Sequence, residues 1–158
     1  MSDIVFLVRF IAEEEVKKLL DDGADVNSVN SCGETALHSA CSEDRCVMAS
    51  LLLQHGANIN ATNASGRTPL HYCCKNNCFE TAKLLLERSA DFNIADRNGT
   101  TPLHVAACEG NMKLMKLLLC SGADATIRNK KGKLAIDCIH NTHKLQDIIS
   151  FINKMNRT

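Results

Sequence analysis

The chain is 158 residues long, 45% hydrophobic and 23% charged, proportions that suit one soluble domain with an ordinary charged surface. Its 18 Lys and Arg balance 18 Asp and Glu, so no global charge draws it toward nucleic acid or an anionic membrane. Aromatic residues make up only 4% and Trp is absent, which points to a core of Leu, Ala, Ile and Cys and to helix-on-helix packing.

At the N-terminus, "MSDIVFLVRFI" sets Asp3 before a short apolar run and Arg9 inside it. No small-residue cleavage site follows, so the segment does not read as a secretory leader. No run approaches the roughly 20 apolar residues that a membrane-spanning helix needs. Nine Cys are present, an odd number that cannot all pair within one chain. Reduced thiols in a cytosolic or nuclear protein are therefore expected. The Asn-x-Ser/Thr triplets at Asn60, Asn63, Asn98 and Asn156 matter only in a secreted chain and read as by-products of Asn-rich turns.

A period of 33 residues then organises the chain without insertion. Gly33, Gly66, Gly99 and Gly132 form one phase, Leu37, Leu70, Leu103 and Ile136 another, and His38, His71 and His104 a third. Thr35, Thr68 and Thr101 recur just ahead, with Leu134 as the lapse. Gly23, Gly56, Ser89 and Gly122 are each followed by Ala. In every unit a turn glycine supplies positive φ, and Thr caps a first helix. Pro69 and Pro102, the only prolines, take the first helical position, where Ala36 stands in the first full unit. A short Leu-His-x-small-small helix follows, with side chains small enough for close approach. A second helix carries the apolar spine in "VMASLLLQHGA", "TAKLLLERSA" and "LMKLLLCSGA". Leu85 and Leu118 are expected in the core, and Gly56 and Gly122 as left-handed helix terminators.

Gly-x-Thr-Pro-Leu-His-x-Ala-Ala, Leu-Leu-Leu-x-x-Gly-Ala-Asp/Asn-x-Asn and the unbroken period together resemble the ankyrin repeat over essentially the whole chain. The resemblance implies an all-α solenoid of helix-turn-helix units joined by β-hairpin-like fingers. Its concave face is formed by the fingers and the first helices. Residues 1–158 then make one domain: an N-terminal capping repeat (1–29), full repeats 30–62, 63–95 and 96–128, and a C-terminal capping repeat (129–158). In the first cap Glu13, Glu14, Glu15, Lys17 and Lys18 replace apolar residues with a solvent-facing surface. In the last, "KLAID" stands for Thr-Pro-Leu-His, and Leu145, Ile148, Ile149 and Ile152 are expected on one apolar helix face.

The stretch "TPLHYCCKNNCFE" gathers His71, Cys73, Cys74 and Cys78, residue types that zinc prefers. The register explains them otherwise. Cys73 stands where Ala40 and Ala106 do, and Cys74 where Cys41 and Ala107 do, at small buried positions of the first helix. Adjacent residues on a helix point about 100° apart, and no Cys-x-x-Cys occurs, so no metal or cofactor is expected. The resemblance gives the motif His a structural role, hydrogen bonding within and between fingers. Cys32 at a finger tip and Cys108 on the concave face are the thiols a redox sensor would use. No glycine loop fits a phosphate and no Ser/His/Asp order stands out, so neither an enzyme nor a small-molecule substrate is expected. "RNKKGK", Arg128 to Lys133, is the one basic cluster. It is either a solvated finger tip or a contact for an acidic protein, and the lack of interleaved aromatics speaks against nucleic acid.

Carried over by register, the family's variable contact positions are Ser31, Cys32, Glu34, Ser42 and Glu43, then Ala64, Ser65, Arg67, Lys75 and Asn76, then Arg97, Asn98, Thr100, Cys108 and Glu109. Tyr72, the only Tyr, joins them. Tyr and Arg are frequent interface hot spots. The candidate partner-binding set is therefore Glu34, Arg67, Tyr72, Lys75, Asn76, Arg97, Thr100, Cys108 and Glu109, centred on Tyr72, Arg67, Arg97 and Lys75. Arg67 and Tyr72 are expected to face the concave side without entering the core. The resemblance thus implies a monomeric, non-enzymatic protein-protein interaction module of the cytoplasm or nucleus, an adaptor or inhibitor, with no nucleic-acid or membrane partner. One alternative is a regulatory segment of a larger enzyme or channel, against which the charged caps and the starting Met weigh. The other is a cysteine-based metal or redox sensor.

Overall fold

The structure, a computed structural model, describes residues 4–9 and 12–155; the readings placed on Asp3 and Asn156 lie outside them. Each full repeat opens on a tight hairpin closed by a single Asn or Asp side chain. Asn63 Oδ1 accepts from the backbone N–H groups of Ser65 (2.9 Å) and Arg67 (3.0 Å), and the Asn63 N–H donates to the Arg67 carbonyl at 3.0 Å. Asn30, Asp96 and Asn129 repeat the arrangement. Gly66 lies at φ +78°, and a Cβ there would come within 3.0 Å of the Arg97 backbone nitrogen in the next finger. Glycine is thus required for the turn and for the stacking at once. One backbone bond crosses each junction between fingers: Ala64 to the Cys32 carbonyl (2.9 Å), Arg97 to Ser65 (3.0 Å) and Lys130 to Asn98 (2.9 Å).

After α1 (Ile4–Leu7) and α2 (Glu13–Asp21) the helices pack in consecutive pairs: α3 (Ala36–Ser42) with α4 (Cys46–Gln54), α5 (Pro69–Asn76) with α6 (Phe79–Glu87), and α7 (Pro102–Cys108) with α8 (Met112–Cys120). A 3-10 turn (Ala135–Cys138) and α9 (Thr142–Met155) close the array. α1, α3, α5, α7 and the 3-10 turn stack in one row, and α2, α4, α6, α8 and α9 in the other. Between the rows lies the core. Leu37, Leu52, Leu85, Leu114 and Leu118 are fully buried in it, as are Cys41, Cys73 and Cys74.

One side chain starts each first helix and also joins it to the next repeat. The Thr35 hydroxyl caps the His38 backbone N–H, and His38 Nδ1 accepts from the Thr35 backbone N–H (3.1 Å) and hydroxyl (2.9 Å). His38 Nε2 meets the Arg67 carbonyl at 2.9 Å. An amide N–H only donates and a carbonyl only accepts, so the ring is neutral with its proton on Nε2. His71 joins Thr68 to the Thr100 carbonyl (2.9 Å), and His104 joins Thr101 to the Lys133 carbonyl (3.0 Å), in the same tautomer.

The capping repeats depart from expectation in two places. Glu14, Glu15, Lys17 and Lys18 are exposed, but Glu13 turns to Arg45, 2.8 Å away. On α9, Ile148 is fully buried and Leu145 and Ile152 half-buried, whereas Ile149 is exposed. Ile149 sits about 100° round the helix from Ile148, outside the stripe that Phe151 completes on the other side. In the last repeat Asp137 takes the His position, accepting from the Leu134 N–H at 2.9 Å.

The second helices α2, α4, α6 and α8 end alike. After α6 the Ser89 N–H donates to the Leu86 carbonyl (3.0 Å) and the Ala90 N–H to the Leu85 carbonyl (2.9 Å). That geometry holds Ser89 at φ +64°, where Gly23, Gly56 and Gly122 stand in the other units. Ser89→Gly is expected to raise the urea midpoint by an amount equivalent to about 0.5–1 kcal/mol with unchanged slope; an equal or lower midpoint contradicts strain at this position.

Burial holds the His38 and His71 pKa values below their usual 6.5. The unfolded chain therefore takes up protons first as pH falls. The stabilisation is complete above about 6.5 and is lost below it, toward the depressed folded values. The thermal midpoint is expected to fall between pH 7.5 and pH 5.5, before most carboxylates titrate, and a flat profile over that window contradicts buried neutral imidazoles.

Candidate functional site

The candidate residues sit on the fingers and on α3, α5 and α7, along one side of the stack. The structure divides them into two groups: side chains tied into networks that bridge repeats, and side chains that stand free.

Tyr72 belongs to the first group. Its hydroxyl donates to Glu34 Oε1 in the preceding repeat and accepts from Asn63 Nδ2 at 2.9 Å. Asn30 Nδ2 donates to Glu34 Oε2 at 3.1 Å. The Tyr72 ring packs against the core and edge-on to His38, 5.5 Å between centroids. Burial, then the Glu34 carboxylate, pushes the phenol up to about 12. Burial also disfavours charge on Glu34, but the bonds from Tyr72 and Asn30 outweigh it and hold its pKa below the ordinary carboxylate value.

Arg67 forms the second tie. Its Nε donates to Asp96 Oδ2 at 3.3 Å, and the Asp96 side chain is only 1% exposed. The other oxygen, Oδ1, accepts from the backbone N–H groups of Asn98 (2.8 Å) and Thr100 (3.0 Å). Burial opposes this charge, yet the two amides and Arg67 together keep the Asp96 pKa below its usual value. Asn76 Nδ2 donates to the Ser42 carbonyl and hydroxyl, both at 3.1 Å. The Thr100 carbonyl receives His71.

Lys75, Arg97, Cys108 and Glu109 make up the free group. All four are exposed. Lys75 and Arg97 form no ion pair among the described residues. Cys108 is exposed as a residue, but burial and then the neighbouring Cys138 push its thiol up to about 11. Burial likewise raises Cys73 and Cys74 well above, and Cys78 to about 12. Thiols with such values stay protonated at neutral pH and are poor nucleophiles and ligands. Among the described residues no three His, Cys, Asp or Glu side chains converge as a metal site would require.

A sequence model of ankyrin repeats, in three copies, matches residues 8–96 and again residues 66–129. The chain belongs to the ankyrin-repeat family. No curated protein matches it. Ankyrin repeats bind other proteins, and the helices and fingers found here are that family's scaffold. Among the described residues no helix is long and apolar enough to cross a membrane. On this ankyrin face the anchoring residue missed from the sequence is Asp96, an acid at the phase of Asn30, Asn63 and Asn129. Its turn role was legible from that phase; its pairing with Arg67, 29 positions earlier, was not.

Arg67 and Tyr72, expected to face the concave side without entering the core, are therefore each tied across a junction between repeats. Arg67→Glu with Tyr72→Ala removes one charge-assisted hydrogen bond at each of two repeat junctions and sets two carboxylates together. The urea midpoint is expected to drop by the equivalent of roughly 2–4 kcal/mol. A variant as stable as wild type would mean that neither network braces the stack.

Proposed function

We propose that the chain is a non-enzymatic binding module that acts by covering a surface of another protein, as an inhibitor or adaptor, through the concave side of the array. The observation that carries this reading is the contrast on that side. Glu34, Asn63, Arg67, Tyr72 and Asp96 are locked to one another. Lys75 and Arg97 stand exposed beside them and form no ion pair among the described residues. Charged groups carried on a braced frame lose little freedom when a partner arrives, and that favours binding. The family supplies the general function, and the arrangement supports this face as its seat.

A monomer in the cytoplasm or nucleus is part of the same proposal, the compartment being supported by nine cysteines that are all free thiols. A cysteine-based sensor has less support, because burial suppresses thiolate formation at Cys73, Cys74, Cys78 and Cys108.

The test uses Lys75→Glu with Arg97→Glu, which leaves both bridging networks in place. Affinity capture from cell lysate, read by quantitative mass spectrometry, is expected to show at least one protein held by wild type and depleted about tenfold or more on the variant. Circular dichroism and thermal midpoint should match. Identical capture by the two proteins overturns the concave side as the binding face.

A further inference from the structure

The zero net charge conceals a gradient along the stack. Residues 1–44 carry ten acids and three bases, whereas residues 45–158 carry eight acids and fifteen bases. The positive end culminates in the last finger, where Arg128, Lys130, Lys131 and Lys133 fall together. The Arg128 guanidinium is occupied, donating to the Gly132 carbonyl at 2.7 Å. The three lysines are exposed and form no ion pair among the described residues. The flanking acids in sequence are engaged locally: Asp124 Oδ1 accepts from the Thr126 N–H and hydroxyl, and Asp137 accepts from the Leu134 N–H. Lys130, Lys131 and Lys133 border a cleft of about 390 Å³ that runs between the last two fingers and reaches Cys108 and Cys138.

The kind of anion is set by which donors remain. A phosphate is cradled by convergent backbone N–H groups. Here those groups are already used. The Lys130 N–H bonds the Asn98 carbonyl (2.9 Å), the Lys131 and Lys133 N–H groups bond Asn129 Oδ1 (2.9 and 3.1 Å), and the Gly132 N–H bonds the Asn129 carbonyl (2.8 Å). What remains is a row of ammonium groups on flexible stems, each a separate point charge. Neither Phe nor Tyr lines the cleft to stack a base. We propose that this cleft seats an acidic, Asp- or Glu-rich segment of the protein partner, its carboxylates paired one by one with Lys130, Lys131 and Lys133. The proposal rests on the concave-side reading above and names the chemistry of the partner at one end of it.

The test is fluorescence anisotropy on purified full-length protein with a labelled eight-residue peptide of alternating Glu and Ser. Wild type is expected to bind it, more weakly as salt rises from about 50 to about 300 mM, because exposed pairs are screened. Lys130→Glu with Lys133→Glu should weaken binding about tenfold or more. Lys17→Glu with Lys154→Glu, the same charge change away from the cleft, should leave it within about twofold. The proposal is overturned by absence of wild-type binding, by equal loss in the control variant, by displacement of the peptide by equimolar inorganic phosphate, or by tighter binding of a thymidine oligonucleotide. A peptide that fails to bind, while Lys75→Glu with Arg97→Glu still loses its partner from lysate, removes the acidic seat alone and leaves the protein-binding reading standing.

Discussion

The fold turns on a neutral imidazole. His38, His71 and His104 each accept at Nδ1 from the Thr that begins their own helix and donate from Nε2 to a carbonyl 29 residues on. The first interaction is local and sets where a helix starts. The second is non-local and sets how far the next finger stands from it. The separation of 29 residues between ring and receiving carbonyl is the same at all three junctions, in step with the unbroken period. Protonation would place a hydrogen on Nδ1, facing the Thr amide, and would break the local link that starts the helix, while Nε2–H could still donate onward. Burial, which disfavours the charged ring at His38 and His71, thus keeps Nδ1 free to accept from Thr.

A second ladder runs along the opposite edge. Asn27 Oδ1 accepts from Asn58 N–H (2.8 Å), Asn60 from Asp91 (2.9 Å) and Asn93 from Asp124 (2.9 Å). Each full repeat is thus held to the next full repeat at the finger, through the imidazole and after the second helix, with apolar packing between. Stability in such an array is a sum of nearest-neighbour terms. The polar ties matter because the repeats are small and each junction has few large side chains: Cys41, Cys73, Cys74, Ala106 and Ala107 fill the tight places.

Local chemistry was legible in the sequence wherever a residue type answers a local demand. Glycine phases gave the left-handed turns, Thr the caps, and Cys in place of Ala the small buried sites. Ser89 at φ +64° is the plainest case, since only the register marks it as strained. The phase of Asp44 (φ 53°), Asn77 (φ 62°) and Gly110 (φ 65°) carries the same signal and was overlooked because Asp and Asn disguise a left-handed position. What the sequence could not convey was pairing between repeats. Tyr72 has the composition of a hot spot, but Glu34, 38 residues earlier, claims its hydroxyl. Arg67 looks like a free cation until Asp96 is placed beneath it. The period identifies equivalent positions and says nothing of which unlike side chains meet across a junction.

That distinction bears on how the two ends of the concave side can act. Toward the N-terminal end, polar groups satisfy one another, so a partner meeting them gains shape and loses few hydrogen bonds. At the last finger the lysines form no ion pair among the described residues, so a partner there gains charge pairing with little to displace. The fingers also differ in support. Gly33, Gly66 and Gly99 each lie against the backbone of a following finger, whereas nothing comes within 4 Å of a Cβ placed at Gly132. The finger that carries the lysines is braced from one side only, and fewer contacts mean a lower cost of local displacement. On the proposed reading, rigid contacts and a less braced charged finger sit on one surface, an arrangement that would suit a partner with a folded part and an extended acidic part.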